Sequence, residues 1–263
     1  MISNSERKYP IRINKYLAQE KHSTRRGADE LISQNQVFIN GELAKLGDMV
    51  QETDKVEVRY RAGKKKELVY LAYNKPRGVV THSADKGDKD IRDMVPIKGI
   101  FPLGRLDKDS SGLIILTNDG RITERLLGPA YYHEKEYVVT TKEKLRTSFE
   151  TKMEAGVKID RDKTRPCEVE VLGEKKFSIT LTEGKKHQIR RMCTALHQEV
   201  DMLKRVRVMN IEIGGLKENE YREIVGEELG EFLGALGMER LFTVNSGQWV
   251  EDSGLTVGKM GVI

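Results

Sequence analysis

The sequence predicts an α+β protein: a mixed, largely antiparallel sheet with helices packed on it, preceded by a small α/β module. Three observations lead there. Strand-like runs dominate residues 68–215, at 69–73, 112–117, 136–140, 168–171 and 177–182, while helical patterns are few. Residues 11–60 carry two short helical patterns and a hairpin signal. Between these zones Arg61-Ala62-Gly63-Lys64-Lys65-Lys66 holds four basic side chains and a glycine without apolar periodicity, the signature of a solvated tether that can also touch phosphate. The expected organisation is a module at 11–60, a basic linker at 61–67, a larger domain at 68–240 and a tail at 241–263.

Within the module, Ile13, Tyr16 and Leu17 have the i, i+3, i+4 spacing of one helix face over 12–19. Ser23 offers an N-cap for a second helix whose buried stripe is Ala28, Leu31 and Ile32. A strand at 37–39 runs into Asn40-Gly41, a strong two-residue hairpin turn signal. Val56 and Val58 alternate with charged residues as an outer strand. In the larger domain the clearest helix spans 187–197, with Ile189, Met192, Cys193 and Leu196 on its apolar face. A second helix, 227–236, turns Leu229, Phe232, Leu233 and Leu236 inward. The last stretch, 242–263, is rich in Gly, Ser and Val and is left open between a disordered tail, an added strand and an extraneous extension.

Composition narrows the function classes. The 263 residues are 33% charged and 38% hydrophobic, with a formal net charge of +5 and a pI of about 9.0. That is a charged globular chain whose modest positive balance suits a polyanionic partner. Two cysteines are too few for a disulfide framework and read as reduced thiols. The polar start MISNSERKYP lacks the apolar stretch of a signal peptide. No apolar run reaches the ~18 residues of a membrane span. A cytoplasmic location, a monomer and no membrane partner are expected. From Lys185 to Arg207 seven basic residues face only Glu199 and Asp201, whereas 209–240 holds eight glutamates against three basic residues. Nucleic acid is expected at the first segment and not at the second.

The most informative run is Gly104-Arg105-Leu106-Asp107-Lys108-Asp109-Ser110-Ser111-Gly112-Leu113. A loop bracketed by glycines feeds an apolar strand, and Arg105 and Lys108 would favour the ionised form of Asp107. Such a carboxylate could serve as nucleophile or base; a solvated turn remains the alternative reading of the residues alone. Asp109 lies too close in the chain to give the carboxyl separation of a glycosidase, and is expected to bond local backbone through its side chain. His187, Arg190 and Arg191 fall at i, i+3, i+4 and so should share a basic helix face. Cys193 and His197 lie one helical turn apart, but no second cluster completes a metal site, and a buried thiol is expected.

The run 104–113 resembles the catalytic motif of the pseudouridine synthases, specifically the RsuA/RluB/RluE/RluF-type branch. Three further segments carry the resemblance: Tyr73-Asn74-Lys75-Pro76-Arg77-Gly78-Val79, Lys135-Glu136-Tyr137, and Glu183-Gly184-Lys185-Lys186-His187-Gln188-Ile189-Arg190-Arg191-Met192. They stand in family order over 69 to about 225, with RluF-like or RluB-like members favoured. Residues 11–60 resemble the S4 RNA-binding domain through Arg12–Leu17, Ser23–Leu31 and Val37–Gly41. His187 departs from the branch and resembles the RluA-type segment.

The resemblance implies roles residue by residue. Asp107 would attack the ribose at C1′ or remove the 2′ proton, Tyr137 would stack on the uracil, and Arg190 would pair with Asp107. Arg105, Leu106 and Ile189 would border the substrate pocket. Lys15, Arg25 and Arg26 in the module, with Lys75, Lys185, Lys186, His187 and Arg191, would face RNA. No metal or other cofactor is implied, because reactant and product are isomers. The implied substrate is structured RNA, with ribosomal RNA and its large subunit favoured over small-subunit RNA or tRNA. A non-catalytic RNA-binding assembly factor is the rival from another class.

Overall fold

The structure is a computed structural model. It describes residues 9–20, 23, 25–59, 67–82, 87–128 and 130–238, together with the backbone of 242–245, 248–251 and 256–259. The chain divides into two compact units, 1–66 and 67–263. The basic run 61–66 and the side chain of Arg26 lie outside the described residues.

In the first unit β1 (Ile11–Arg12) runs directly into α1 (Ile13–Gln19), followed by α2 (Arg25–Ser33). Ile13, Leu17, Ala28 and Ile32 close a small core with Val37, and Asn14 Nδ2 ties the helices by donating to Asp29 Oδ1 at 2.9 Å. β2 (Val37–Ile39) lies between β3 (Glu42–Leu43) and β5 (Val56–Val58), while β4 (Met49–Val50) pairs with β1. Ile39 faces Glu42 across a two-residue turn. Asn40 and Gly41 there have φ of 52° and 87°, the twist that suits a tight hairpin. Lys15 and Arg25 are exposed.

The second unit is built on one sheet. In chain order its main elements are β6 (Tyr70–Lys75), α3 (Ile91–Met94), β7 (Phe101–Leu103), β8 (Ser111–Thr117), α4 (Thr123–Leu127) and β9 (Lys135–Thr141). There follow α5 (Phe149–Glu154), β10 (Lys158–Ile159), β11 (Asp162–Lys163), β12 (Glu168–Gly173), β13 (Lys176–Leu181), α6 (Gln188–Ala195), β14 (Val200–Val208), β15 (Ile211–Glu212), β16 (Tyr221–Glu223) and α7 (Gly226–Ala235). The strand order is β12-β13-β9-β14-β8-β6-β16, with β7 on β8 and β15 on β14; β10 and β11 form a separate hairpin. The pairings are antiparallel except β14 on β8.

β6 and β8 are buried along their whole length, which is why residues 70–73 and 113–116 within them read as continuous apolar runs. Tyr70, Ala72, Leu113 and Ile115 face a core closed by Leu126 of α4 and Phe232 of α7. Leu71, Tyr73, Ile114 and Leu116 face the other side with Ile91 and Leu106. A third core joins β9, β13 and β14 to α5 and α6.

Two details depart from the sequence reading. The helix expected over 187–197 is α6, Gln188–Ala195, and His187 is its N-cap in the left-handed region at φ 52°. The basic stretch near 200–208 is a central strand, β14. In the tail, β17 (Phe242–Asn245), β18 (Gln248–Glu251) and β19 (Thr256–Lys259) pair as a three-stranded antiparallel sheet. No helix among the described residues is long and apolar enough to cross a membrane.

One contact sets where the sheet opens. β7 pairs with the second half of β8, from Leu103 opposite Ile115 to Phe101 opposite Thr117. β14 takes the same side of β8 at its start, with Lys204 at Ser111 and Arg205 at Gly112. The connection 104–110 is therefore pushed out of the sheet where one neighbour of β8 replaces the other. Gly112 permits the replacement: its φ is 105°, and a Cβ there would lie 2.2 Å from the Arg205 carbonyl oxygen. We predict that Gly112→Ala costs more than about 3 kcal/mol, combining left-handed strain with overpacking. Gly184→Ala, whose Cβ would meet nothing within 4 Å, should change stability by less than about 0.5 kcal/mol. Urea unfolding of both variants checks this; equal midpoints would contradict it.

Candidate active site

The ejected loop carries Asp107 at its tip. Its backbone is clamped from three directions. Ser110 N donates to Asp107 O at 3.0 Å and closes a tight turn, and Gly78 N donates to Lys108 O at 2.8 Å. Thr81 Oγ1 both donates to Leu106 O at 2.7 Å and accepts from Leu106 N at 3.2 Å. Leu106 is buried in the core beneath. The Asp107 carboxylate stays 41% exposed, and His187 Nε2 lies 3.4 Å from its Oδ1. His187 reaches it because its left-handed backbone turns the chain just before α6. Strain of this kind, about 1–3 kcal/mol, concentrates at functional sites.

The loop and the two cores beside it bring Asp107, Leu106, Tyr137, Ile189 and Arg190 into one neighbourhood. Tyr137 lies in β9 between Ile179 and Arg205 of the neighbouring strands. It is half-buried and packs against both the core holding Leu106 and the core holding Ile189. Arg190 was expected to pair with the Asp107 carboxylate. Instead its Nη2 donates to Asp109 O at 3.1 Å and its Nη1 to Val200 O at 3.4 Å. Asp109 thus steadies the loop through its carbonyl rather than through its side chain. Arg105 is exposed at the start of the loop, and Lys108 pairs with Asp88 at 2.7 Å.

The expected RNA-facing set divides. Lys75 is not on the surface at all: it is 0% exposed, and its Nζ donates to Pro76 O at 2.9 Å and Val79 O at 2.8 Å. It is the last residue of β6, a strand buried along its whole length, so its side chain turns inward. His187, Arg190 and Arg191 do not form one helix face, because His187 precedes the helix and Arg191 turns to Asp160. Lys185 approaches Asp162 at 3.8 Å. Lys186 is exposed. Cys193 lies in the apolar core, where burial pushes its thiol up to about 12, far from the thiolate a metal would need.

Sequence reasoning missed Arg205. It lies within a run read as RNA-facing, yet it is 4% exposed and its Nε donates to Leu113 O at 2.7 Å. Its alternation with buried Leu203 was the available signal. Lys75 and Arg205 place two buried cations beneath a loop bearing Asp107 and Asp109. Burial pulls the Lys75 ammonium down to about 8, opposed by the carboxylates of Asp107 and Asp109 and reinforced by Arg205.

A lysine depressed in the folded state has a defined linkage. Between about pH 8 and its ordinary 10.5 the unfolded chain binds the extra proton, so stability rises with pH across that window. We predict that wild type gains about 2 kcal/mol relative to Lys75→Met between about pH 7.5 and about pH 10. Paired urea titrations at both pH values measure it, and a pH-independent difference would contradict the buried charge.

Comparison with known proteins agrees with this architecture. Residues 69–195 match the RNA pseudouridylate synthase family model, and residues 11–56 match the S4 domain. The chain is 41% identical to the dual-specificity RNA pseudouridine synthase RluF of Escherichia coli K12, over 83% of this chain and 77% of that one. It is 35% identical to the ribosomal large subunit pseudouridine synthase B of Bacillus subtilis, over 83% and 93%. A pseudouridylate synthase crystal structure superposes with a TM-score of 0.63 at 26% identity, covering 86% of this chain and 99% of the other. With an RNA-binding S4 domain ahead of a sheet that presents a clamped aspartate loop, the chain belongs to the RNA pseudouridine synthases.

Proposed function

We propose that this synthase isomerises a specific uridine of large-subunit ribosomal RNA, with Asp107 as the catalytic carboxylate. The observation that carries the reading is the clamped loop: an aspartate whose main chain is held from three sides, yet whose carboxylate stays open. Preorganised backbone lets such a group meet substrate without further ordering. The target uridine leaves the stack and enters the cleft, since its reacting atoms are shielded within a helix.

Asp107 attacks C1′ or removes the 2′ proton, and either route breaks the bond from C1′ to N1. The freed uracil turns and C5 joins C1′, displacing the Asp107 carboxylate on the first route or with the 2′ proton returned from it on the second; the C5 proton then passes to water and N1 regains a proton. Tyr137 stacks on the base throughout, worth ~1–3 kcal/mol, and Ile189 and Leu106 keep the pocket apolar. Arg190 holds the loop through the Asp109 carbonyl. The large-subunit assignment rests on the named relatives, of which one is a large-subunit synthase. The S4 domain supplies affinity through phosphate contacts at Lys15 and Arg25, positioning more than reading the RNA.

Two outcomes are expected. Purified protein releases tritium from ribosomal RNA labelled at uridine C5, and Asp107→Asn slows release by at least about a thousandfold. An active Asp107→Asn would contradict the assignment. The double variant Lys15→Ala with Arg25→Ala makes the negative slope of log affinity against log salt shallower by roughly 1.5, as two lost phosphate contacts require. An unchanged slope removes these side chains from the RNA interface.

A further inference from the structure

We propose that Tyr131 and Tyr132, with Arg165 behind them, form a stacking platform at the rim of the cleft that holds an unpaired base next to the target uridine. The inference rests on the RNA synthase reading above.

The position comes first. Tyr131 and Tyr132 lie in the turn between α4 and β9. Leu127, the last residue of α4, comes within 3.1 Å of where a Cβ on Gly104 would stand, and Gly104 opens the Asp107 loop. Tyr131 N donates to Gly128 O at 3.2 Å, and its ring lies 3.0 Å from the corresponding position on Gly128. One end of the turn is thereby packed beside the catalytic loop. The other end reaches α6. Arg165 stacks its guanidinium 4.0 Å from the Tyr132 ring centroid. Arg165 N donates to Glu183 Oε1 at 3.1 Å, which also accepts from Gln188 Nε2 at 2.7 Å. Gln188 follows His187, the residue that meets Asp107. The aromatic turn is thereby tied by Leu127 to the start of the Asp107 loop, and through Arg165 and Glu183 to the first turn of α6.

The chemistry points to a base. Tyr131 is 49% and Tyr132 51% exposed, so neither ring is explained by core packing. Tyr132 holds φ 55°, a left-handed conformation that costs a bulky residue roughly 1–2 kcal/mol. Arg165 then fixes the ring's orientation and adds a cation to it. Tyr131 lies parallel to His133, with ring centroids 5.9 Å apart and planes within 2°. Burial lowers the His133 pKa, which favours its uncharged ring in that stack. Aromatic and guanidinium planes at half exposure are what unpaired RNA bases stack upon. The flipped uridine itself goes to Tyr137, which leaves its neighbour in the strand as the occupant.

The test uses the full-length chain and ribosomal RNA tritiated at uridine C5, taken from cells lacking the gene. Single-turnover release is followed against enzyme concentration. Tyr132→Asn removes the ring, while asparagine tolerates the left-handed backbone. It should raise the half-saturating concentration about tenfold, the effect of one lost base stack, and keep the plateau rate. Tyr132→Phe, which keeps the ring, should restore wild-type saturation. A Tyr132→Asn variant that saturates at the wild-type concentration overturns the platform. So does one that loses plateau rate alone, or a Tyr132→Phe variant as weak as Tyr132→Asn. Wild type that releases no tritium overturns the parent reading, and this inference falls with it.

Discussion

The approach of the Arg205 backbone to Gly112 is the constraint on which the active cleft depends. No Cβ fits between the two strands there. Because β14 comes this close, it takes the side of β8 that β7 would otherwise hold. The connection between β7 and β8 then cannot be a flush hairpin, and residues 104–110 leave the sheet as a loop. The same contact brings Arg205 opposite Tyr137 on β9, so one register sets the aspartate, the tyrosine and the buried arginine together. A glycine at the start of a strand that is otherwise apolar is the visible trace of that arrangement.

Stiffness and exposure are separated at the site. The main chain of the Asp107 loop is bonded to Thr81, Gly78 and Arg190, while the Asp107 carboxylate remains open. Below it, Lys75 and Arg205 keep positive charge in the protein interior, bonded to carbonyl oxygens. Buried cations are costly unless bonded and compensated. The nearby Asp107 and Asp109 supply part of that compensation. A charge balance of this kind links the stability of the unit to the residues of its cleft.

Much of this was legible in the sequence, for reasons that differ by element. β6 and β8 were visible because strands buried on both faces read as unbroken apolar runs, and α7 because Leu229, Phe232, Leu233 and Leu236 keep strict helical spacing. The aspartate loop was visible through its glycines and its motif. β14 was hidden because Lys204, Arg205 and Arg207 mask a strand with charge, and charge alone does not reveal whether a side chain is buried. Lys75 was misplaced for the same reason. The basic face assigned to α6 failed because helical spacing was extended back to His187, whose left-handed φ makes the helix begin only at Gln188. Tyr131 and Tyr132 carried no periodic signal, and only their exposure and position set them apart.

The central claim is that this chain makes pseudouridine through Asp107. It is tested most directly by mapping pseudouridines across all ribosomal RNA and tRNA in cells with the gene, without it, and with Asp107→Asn in its place. The account predicts that one large-subunit ribosomal RNA site disappears on deletion, returns with the wild-type gene and stays absent with Asp107→Asn. Restoration of the site by Asp107→Asn, or a modification map identical in all three strains, would contradict it.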